Sequence, residues 1–242
     1  MITMLVLTKY QDIFDRLVQS WHTYAADDIE HRVLVVRDGD VKVPAEWVAV
    51  DGPKPFHYCK SINLGFKLSE PDDVFLVLDD MQFTQPNTIR RLNLIMEEQR
   101  DLAALSVVVP GGSCSLGYQW IGARPEPLFT CQFMDYPAVY FRRSALVPMD
   151  EQFIGYGWED IDHCLTMVQA GWTLGVASNI HMNHGIDGPG MSATFKRVKV
   201  PEDQNLVANG ERFTKKWRGK LGFLGEIRPD SPLHVFLKGV QG

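Results

Sequence analysis

Gly155-Tyr156-Gly157-Trp158-Glu159-Asp160-Ile161-Asp162 is a glycine-marked turn that runs straight into a cluster of carboxylates. The glycines permit backbone conformations closed to other residues. From there to Ala170 the spacing of Ile161, Leu165 and Val168 predicts a helix with one apolar face, stopped by Gly171. Glu159, Asp160 and Asp162 then fall on the first helical turn. Upstream, Leu78-Asp79-Asp80 closes an apolar run, and downstream comes His181-Met182-Asn183-His184. Acid pair, acid cluster and histidine pair, in that order in an α/β chain, imply a metal-assisted transfer site.

Outward from this stretch, strands and helices alternate. Residues 2–7, 33–36, 47–50, 74–78 and 102–109 read as strands. Residues 13–21, 61–68 and 86–98 carry helical spacing, with Pro86 in a first turn. This order implies a largely parallel sheet flanked by helices, with ligands outside the carboxyl ends of its strands. Asp38 and Asp79-Asp80 fall at such ends. Residues 110–126, rich in Gly, Pro and Ser, read as a loop between two halves. Residues 139–141 and 172–177 read as strands, 185–194 as a mobile Gly-rich loop, and 202–217 as a helix. The expected division is a 1–190 catalytic unit, with a nucleotide-side half (1–109) and an acceptor half (110–190). A 191–242 tail packs on the same unit.

The chain has 242 residues, 45% hydrophobic and 22% charged, enough for one substantial core. A net charge of −6 argues against a nucleic-acid wrapper. A local basic group, Arg212, Lys215, Lys216, Arg218 and Lys220, reads as a solvated helix end. Cys59, Cys114, Cys131 and Cys164 form no C-x-x-C pair, so they read as free thiols of a reducing compartment. The first residues carry no basic leader, and no run approaches the roughly 18 apolar residues of a membrane span. A cytoplasmic protein without a membrane span is the expectation.

Each candidate group has a plain structural alternative. Asp79-Asp80 could hold a hard divalent cation or end a strand as solvated acids. His181 or His184 could ligate the same ion, or either could be an ordinary hydrogen-bonded residue. Glu159 and Asp160 could supply a general base, yet acids in a first helical turn are also favoured by the helix dipole. That field lowers a carboxylate pKa, so a base here needs burial to offset it. Asp162 reads as a helix-end charge. Tyr156 and Trp158 could face a sugar ring or pack the loop.

Together these residues resemble the GT-A glycosyltransferases, most closely the family 2 group and its β-1,4-galactosyltransferase-like relatives. The resemblance spans roughly residues 1–190. Asp38-Gly39-Asp40 is similar to the acidic turn that holds the nucleoside, and Asn63-Leu64-Gly65 to the family's N-x-G segment. Residues 74–80 resemble the strand leading to the D-x-D motif. Asp150-Glu151-Gln152-Phe153, with 155–162, resembles the acceptor-side motif, and His184 the third metal ligand. The D-x-D match departs from the pattern. Either Leu78 stands for the first Asp and Asp80 for the last, or Asp79 is first and Met81 replaces the last. The first register is preferred, because D-D-M-x-F followed by a proline fits family usage.

The resemblance implies a GT-A type, Rossmann-like domain that moves a sugar from a nucleotide diphosphate-sugar to an acceptor hydroxyl with inversion. It implies Mn²⁺ or Mg²⁺ held by Asp80 and His184. Asp38, Asp79 and Asn63 would lie on the donor side, with Asp160 as base and Glu159 orienting the acceptor beside Trp158 and Tyr156. The 185–194 stretch would close over the donor. A glycan, a protein, a lipid-linked sugar or a modified nucleobase would serve as acceptor. A metal-dependent phosphohydrolase or nucleotidyltransferase competes with this reading, but no Gly-x-x-x-x-Gly-Lys loop is present. A carbohydrate-binding module competes too, and it would not need Asp160.

Overall fold

The computed structural model describes residues 1–109, 127–155, 157–185 and 205–222, plus the backbone of 113–114, 117–118, 202–204 and 223–224. The first part runs β1 (Ile2–Thr8), α1 (Gln11–Tyr24), β2 (His31–Arg37), β3 (Val48–Asp51), α2 (Tyr58–Leu68) and β4 (Asp73–Leu78). There follow β5 (Met81–Phe83), α3 (Thr88–Glu98), β6 (Leu102–Val108) and the short hairpin β7 (Ser113–Cys114) and β8 (Gly117–Tyr118). The second part holds β9 (Leu128–Cys131), β10 (Ala138–Phe141), α4 (Glu159–Gln169), β11 (Thr173–His184) and α5 (Glu202–Trp217).

Among the described residues the main sheet has the order β3-β2-β1-β4-β10-β6-β11-β5, with β9 paired to β11. Pairing is parallel from β3 to β4 and between β6 and β11. β10 is antiparallel to both β4 and β6. The expected α/β sheet is therefore present, but with a reversed strand near its middle. That reversal matters for the site. The start of β10 lies at the same sheet edge as the end of β4, where Leu78 N donates to Pro137 O at 2.9 Å.

Alternation along each strand sends side chains to two cores. Leu5, Leu34 and Leu76 face α2, α4 and α5, whereas Met4, Val35 and Val77 face α1 and α3. Gly65 is where α2 crosses β1. A Cβ there would lie 2.4 Å from the Leu5 side chain, so this crossing needs glycine.

Several boundaries differ from the sequence reading. Pro86 precedes α3, whose N-cap is Asn87. The expected 172–177 strand is the twelve-residue β11, so both histidines belong to it. A register shift between Ala177 and His181 lets its last residues pair with β5, setting His184 opposite Met81. The buried residues of α4 are Glu159, Asp162, His163, Cys164, Leu165 and Met167, while Ile161 and Val168 are only partly buried. The expected 110–126 loop lies outside the described residues apart from the β7–β8 backbone. Phe213 and Trp217 of α5 are buried in the same core as α2 and α4.

Candidate active site

The carboxyl ends of β1, β2 and β4 meet in a braced set of acids. Thr8 Oγ1 and Lys9 N donate to Asp79 Oδ2 at 3.0 and 3.3 Å. Lys9 Nζ pairs with Asp38 Oδ2 at 2.9 Å. One carboxylate oxygen of Asp79 thus joins the ends of β1 and β4, and Lys9 links that joint to Asp38.

Asp80 points elsewhere. Its backbone carbonyl accepts from Gly185 N at 3.0 Å, and its Oδ1 stands 3.7 Å from His184 Nε2. The β5–β11 pairing produces this approach, because His184 lies opposite Met81, the residue after Asp80. Both ring nitrogens of His184 are shielded from solvent, and neither has a hydrogen-bond partner in the structure. A spacing of 3.7 Å is too long for a hydrogen bond. Two ligands of one divalent ion, each about 2.1 Å from it, stand roughly 3–4 Å apart. An imidazole and a carboxylate therefore fit a Mn²⁺ or Mg²⁺ ion. No cluster of three or more His, Cys, Asp or Glu side chains suited to a metal occurs among the described residues. Further oxygens would have to come from a bound diphosphate or water, as such ions ordinarily accept. His181 is exposed, and its carbonyl accepts from Thr84 Oγ1 at 2.9 Å. Of the two histidines, the one beside Asp80 is His184.

The second set of acids comes from the turn before α4. Gly155 and Gly157 have φ of 76° and 101°, and Trp158 has φ of 77°. Glycine takes this left-handed region readily, whereas tryptophan does so rarely. The turn delivers Glu159 and Asp160 inward. Glu159 is 4% exposed, and Asp160 Oδ2 accepts from Tyr136 N at 3.1 Å. Tyr136 lies two residues before β10, which starts at the carboxyl edge of β4. The reversed strand thus brings Asp160 to the sheet edge that carries Asp79 and Asp80.

Burial decides the charge state of these acids. The Glu159 carboxyl is pushed up to about 7, chiefly by desolvation, against hydrogen bonds from its own backbone and from Gly157. Asp160 is held well above the usual carboxylate range, first by burial and then by the charges of Glu159 and Asp135. The helix dipole favours the ionised form by only about 1 kcal/mol, so desolvation wins. Asp135, in the link before β10, had no signal in the sequence: it is a lone acid among apolar residues, and only the fold carries it to this cluster.

Other candidates take structural positions. Asp162 lies in the first turn of α4, as expected, but is only 1% exposed. It accepts from Lys216 Nζ at 2.7 Å and Trp217 Nε1 at 2.8 Å. Burial raises its pKa while these two partners lower it. The basic tail is accordingly not wholly solvated. Lys216 also reaches Asp150 at 3.2 Å, and Arg212 bonds Gln152. The amide of Asn63 donates to Met149 O and Glu151 Oε1, both at 3.0 Å, tying α2 to the segment before the acid turn. The Trp158 ring lies 4.9 Å from that of Phe213 and is half-buried there. Tyr156 and the 185–194 stretch beyond Gly185 lie outside the described residues. His163, unremarked in the sequence, is buried between Tyr136 Oη (2.9 Å) and Val147 O (2.7 Å). Burial lowers its pKa to about 4, so it is neutral.

Neither a family model nor a curated protein sequence matches this chain. Solved structures do resemble it. One is GalNAc-T7 with UDP, GalNAc and Mn²⁺, at TM-score 0.68 and 11% identity, over 98% of this chain and 53% of that one. The chain thus spans about half of that relative's length. Another is residues 1–349 of S. aureus TarS, at TM-score 0.56 and 14% identity, over 99% of this chain and 81% of that one. The fold is of the GT-A type. Among the described residues no helix is long and apolar enough to cross a membrane.

Proposed function

We propose that this protein is a glycosyltransferase that moves a sugar from a nucleotide diphosphate-sugar to an acceptor hydroxyl, with inversion at the anomeric carbon. One observation carries the reading: the 3.7 Å approach of Asp80 to His184 occurs at the sheet edge that also receives the buried Glu159 and the half-buried Asp160. A cation-binding pair and a raised-pKa carboxyl pair at one edge are what a diphosphate leaving group and an acceptor hydroxyl require. The GT-A fold, seen also in a structure holding UDP and Mn²⁺, supports it. Within that fold we place the chain near the β-1,4-galactosyltransferase-like group, on the Gly155–Asp162 motif.

Asp80 and His184 would hold a Mn²⁺ or Mg²⁺ ion, which when bound neutralises the diphosphate as a Lewis acid. Asp38 and Asp79, joined through Lys9, line the donor side at the ends of β2 and β4. Asn63 holds the approach to the acid turn. Asp160 takes the proton of the acceptor hydroxyl; its buried carboxylate is a stronger base than an exposed one. Glu159 orients the acceptor, with Trp158 and Tyr156 flanking it. The buried free thiols Cys59 and Cys164 suit a reducing, cytoplasmic setting.

Titration calorimetry with UDP, GDP and their sugar conjugates, in Mn²⁺ and then in EDTA, tests this. Metal-dependent binding of one nucleotide diphosphate, lost in Asp80→Ala and His184→Ala, is expected. Binding indifferent to EDTA would overturn the ligand assignment. No binding at all would overturn the transferase reading.

A further inference from the structure

The turn that carries Glu159 and Asp160 is not self-supporting. Gly155, Gly157 and Trp158 all sit at φ between 76° and 101°, a run that local propensity does not hold. The support comes from α5. Asn209 is 3% exposed. Its Nδ2 donates to Ile154 O at 3.0 Å and to Gly157 O at 3.1 Å, and its Oδ1 accepts from Ile154 N at 3.2 Å. Both amide hydrogens and the carbonyl are thereby used. The same face of α5 adds two packing contacts. Phe213 packs against Trp158 with the rings tilted by 36°, and a Cβ on Gly157 would lie 2.5 Å from Leu206 Cδ2.

From this geometry we infer that Asn209 is a positioning residue for the transfer reaction: reaching from α5, it clamps Ile154 and Gly157 and so sets where Glu159 and Asp160 stand. The inference rests on the transferase reading above. Other ties to this segment act earlier in the chain. His57 Nε2 meets Glu151 O at 3.0 Å, and Cys59 Sγ reaches Phe153 O at 3.6 Å. Asn209 holds the two carbonyls that bracket the turn itself, two residues before Glu159. Without the clamp the turn relaxes, water reaches the carboxyls, and the acids leave their aligned positions.

The test is the Glu159 titration, followed by carbon-13 NMR of side-chain-labelled protein. It is run on the native chain, Asn209→Ala, Asn209→Ser, and Leu92→Ala in the opposite core. The titratable groups facing Glu159, namely Asp160, Asp135 and Cys59, stay in place in all four. Both Asn209 variants are expected to lower the Glu159 midpoint by about one pH unit or more, towards the ordinary carboxylate range. Leu92→Ala loses thermal stability without moving it. Mn²⁺-dependent nucleotide diphosphate binding stays within about twofold, and sugar-nucleotide turnover falls about tenfold to a hundredfold. A folded Asn209→Ser or Asn209→Ala with an unmoved midpoint would overturn the inference. So would a Leu92→Ala shift of equal size, which would mark a general loosening. Native protein that binds no nucleotide diphosphate would instead count against the transferase reading, and the midpoint shift would still report on the clamp.

Discussion

Asp80 Oδ1 and His184 Nε2 stand 3.7 Å apart, although 104 positions separate them in the chain (184 − 80). The register of β5 on β11 creates the pair, since His184 lies opposite Met81. Asp80→Asn is expected to weaken Mn²⁺-dependent nucleotide diphosphate binding by about tenfold or more, because a neutral amide is a poor ligand for a hard cation. Calorimetry with and without EDTA reads this directly. Equal affinity in the two proteins would remove Asp80 from the ligand set.

Asp79 is adjacent in sequence but differently employed. Thr8→Val removes the hydroxyl that donates to Asp79 Oδ2 in a buried place. A loss of about 1–3 kcal/mol in unfolding free energy is expected. Denaturant unfolding measures it; no loss would mean that the strand-end brace contributes nothing.

Glu159 makes stability depend on pH in an unusual direction. Its folded pKa, about 7, lies above the ordinary value of 4.5. The folded state therefore binds more protons between those two values. Stability from this group is fully present below about pH 4 and is lost as pH rises through 7. Glu159→Gln is expected to be more stable than the native chain above pH 7, by about 3 kcal/mol at most, and to lose that advantage towards pH 4. Thermal melts across this range would show the curves converging in acid. Parallel curves would mean that Glu159 is solvated.

Asp160→Asn keeps the size of the side chain and the acceptor for Tyr136 N but cannot take a proton. Transfer is expected to fall by about 10²–10⁴-fold with nucleotide diphosphate binding unchanged. Retained turnover would assign the base elsewhere in the cluster.

Lys216→Met takes the ammonium donor from the buried Asp162 carboxylate and leaves it the neutral Trp217 Nε1 donor. A loss of about 3–5 kcal/mol follows from an uncompensated buried charge. Asp162→Asn in the same background should recover part of it, and a melt of the double variant checks this.

Local pattern determined much of this protein. The alternation of apolar strands and amphipathic helices, the acid pair at a strand end and the glycine turn before α4 are all set by nearest neighbours, so they are legible in order along the chain. Strand order and register are not. A strand such as Ala138–Phe141 looks the same whether it runs parallel or antiparallel to its neighbours, yet its reversal carries Asp135 and Tyr136 to the acid cluster. Likewise, nothing near Asp162 or Asn209 in sequence shows that α5 folds back to bury the one and aim the other. Burial is also a property of the assembled core. The helix dipole at Glu159 and Asp160 is visible in the sequence and would lower their pKa values. The desolvation that raises them exists only after β10, α2 and α5 have closed around the turn, and because removing water outweighs a helix-end field, the tertiary structure decides the chemistry of these acids.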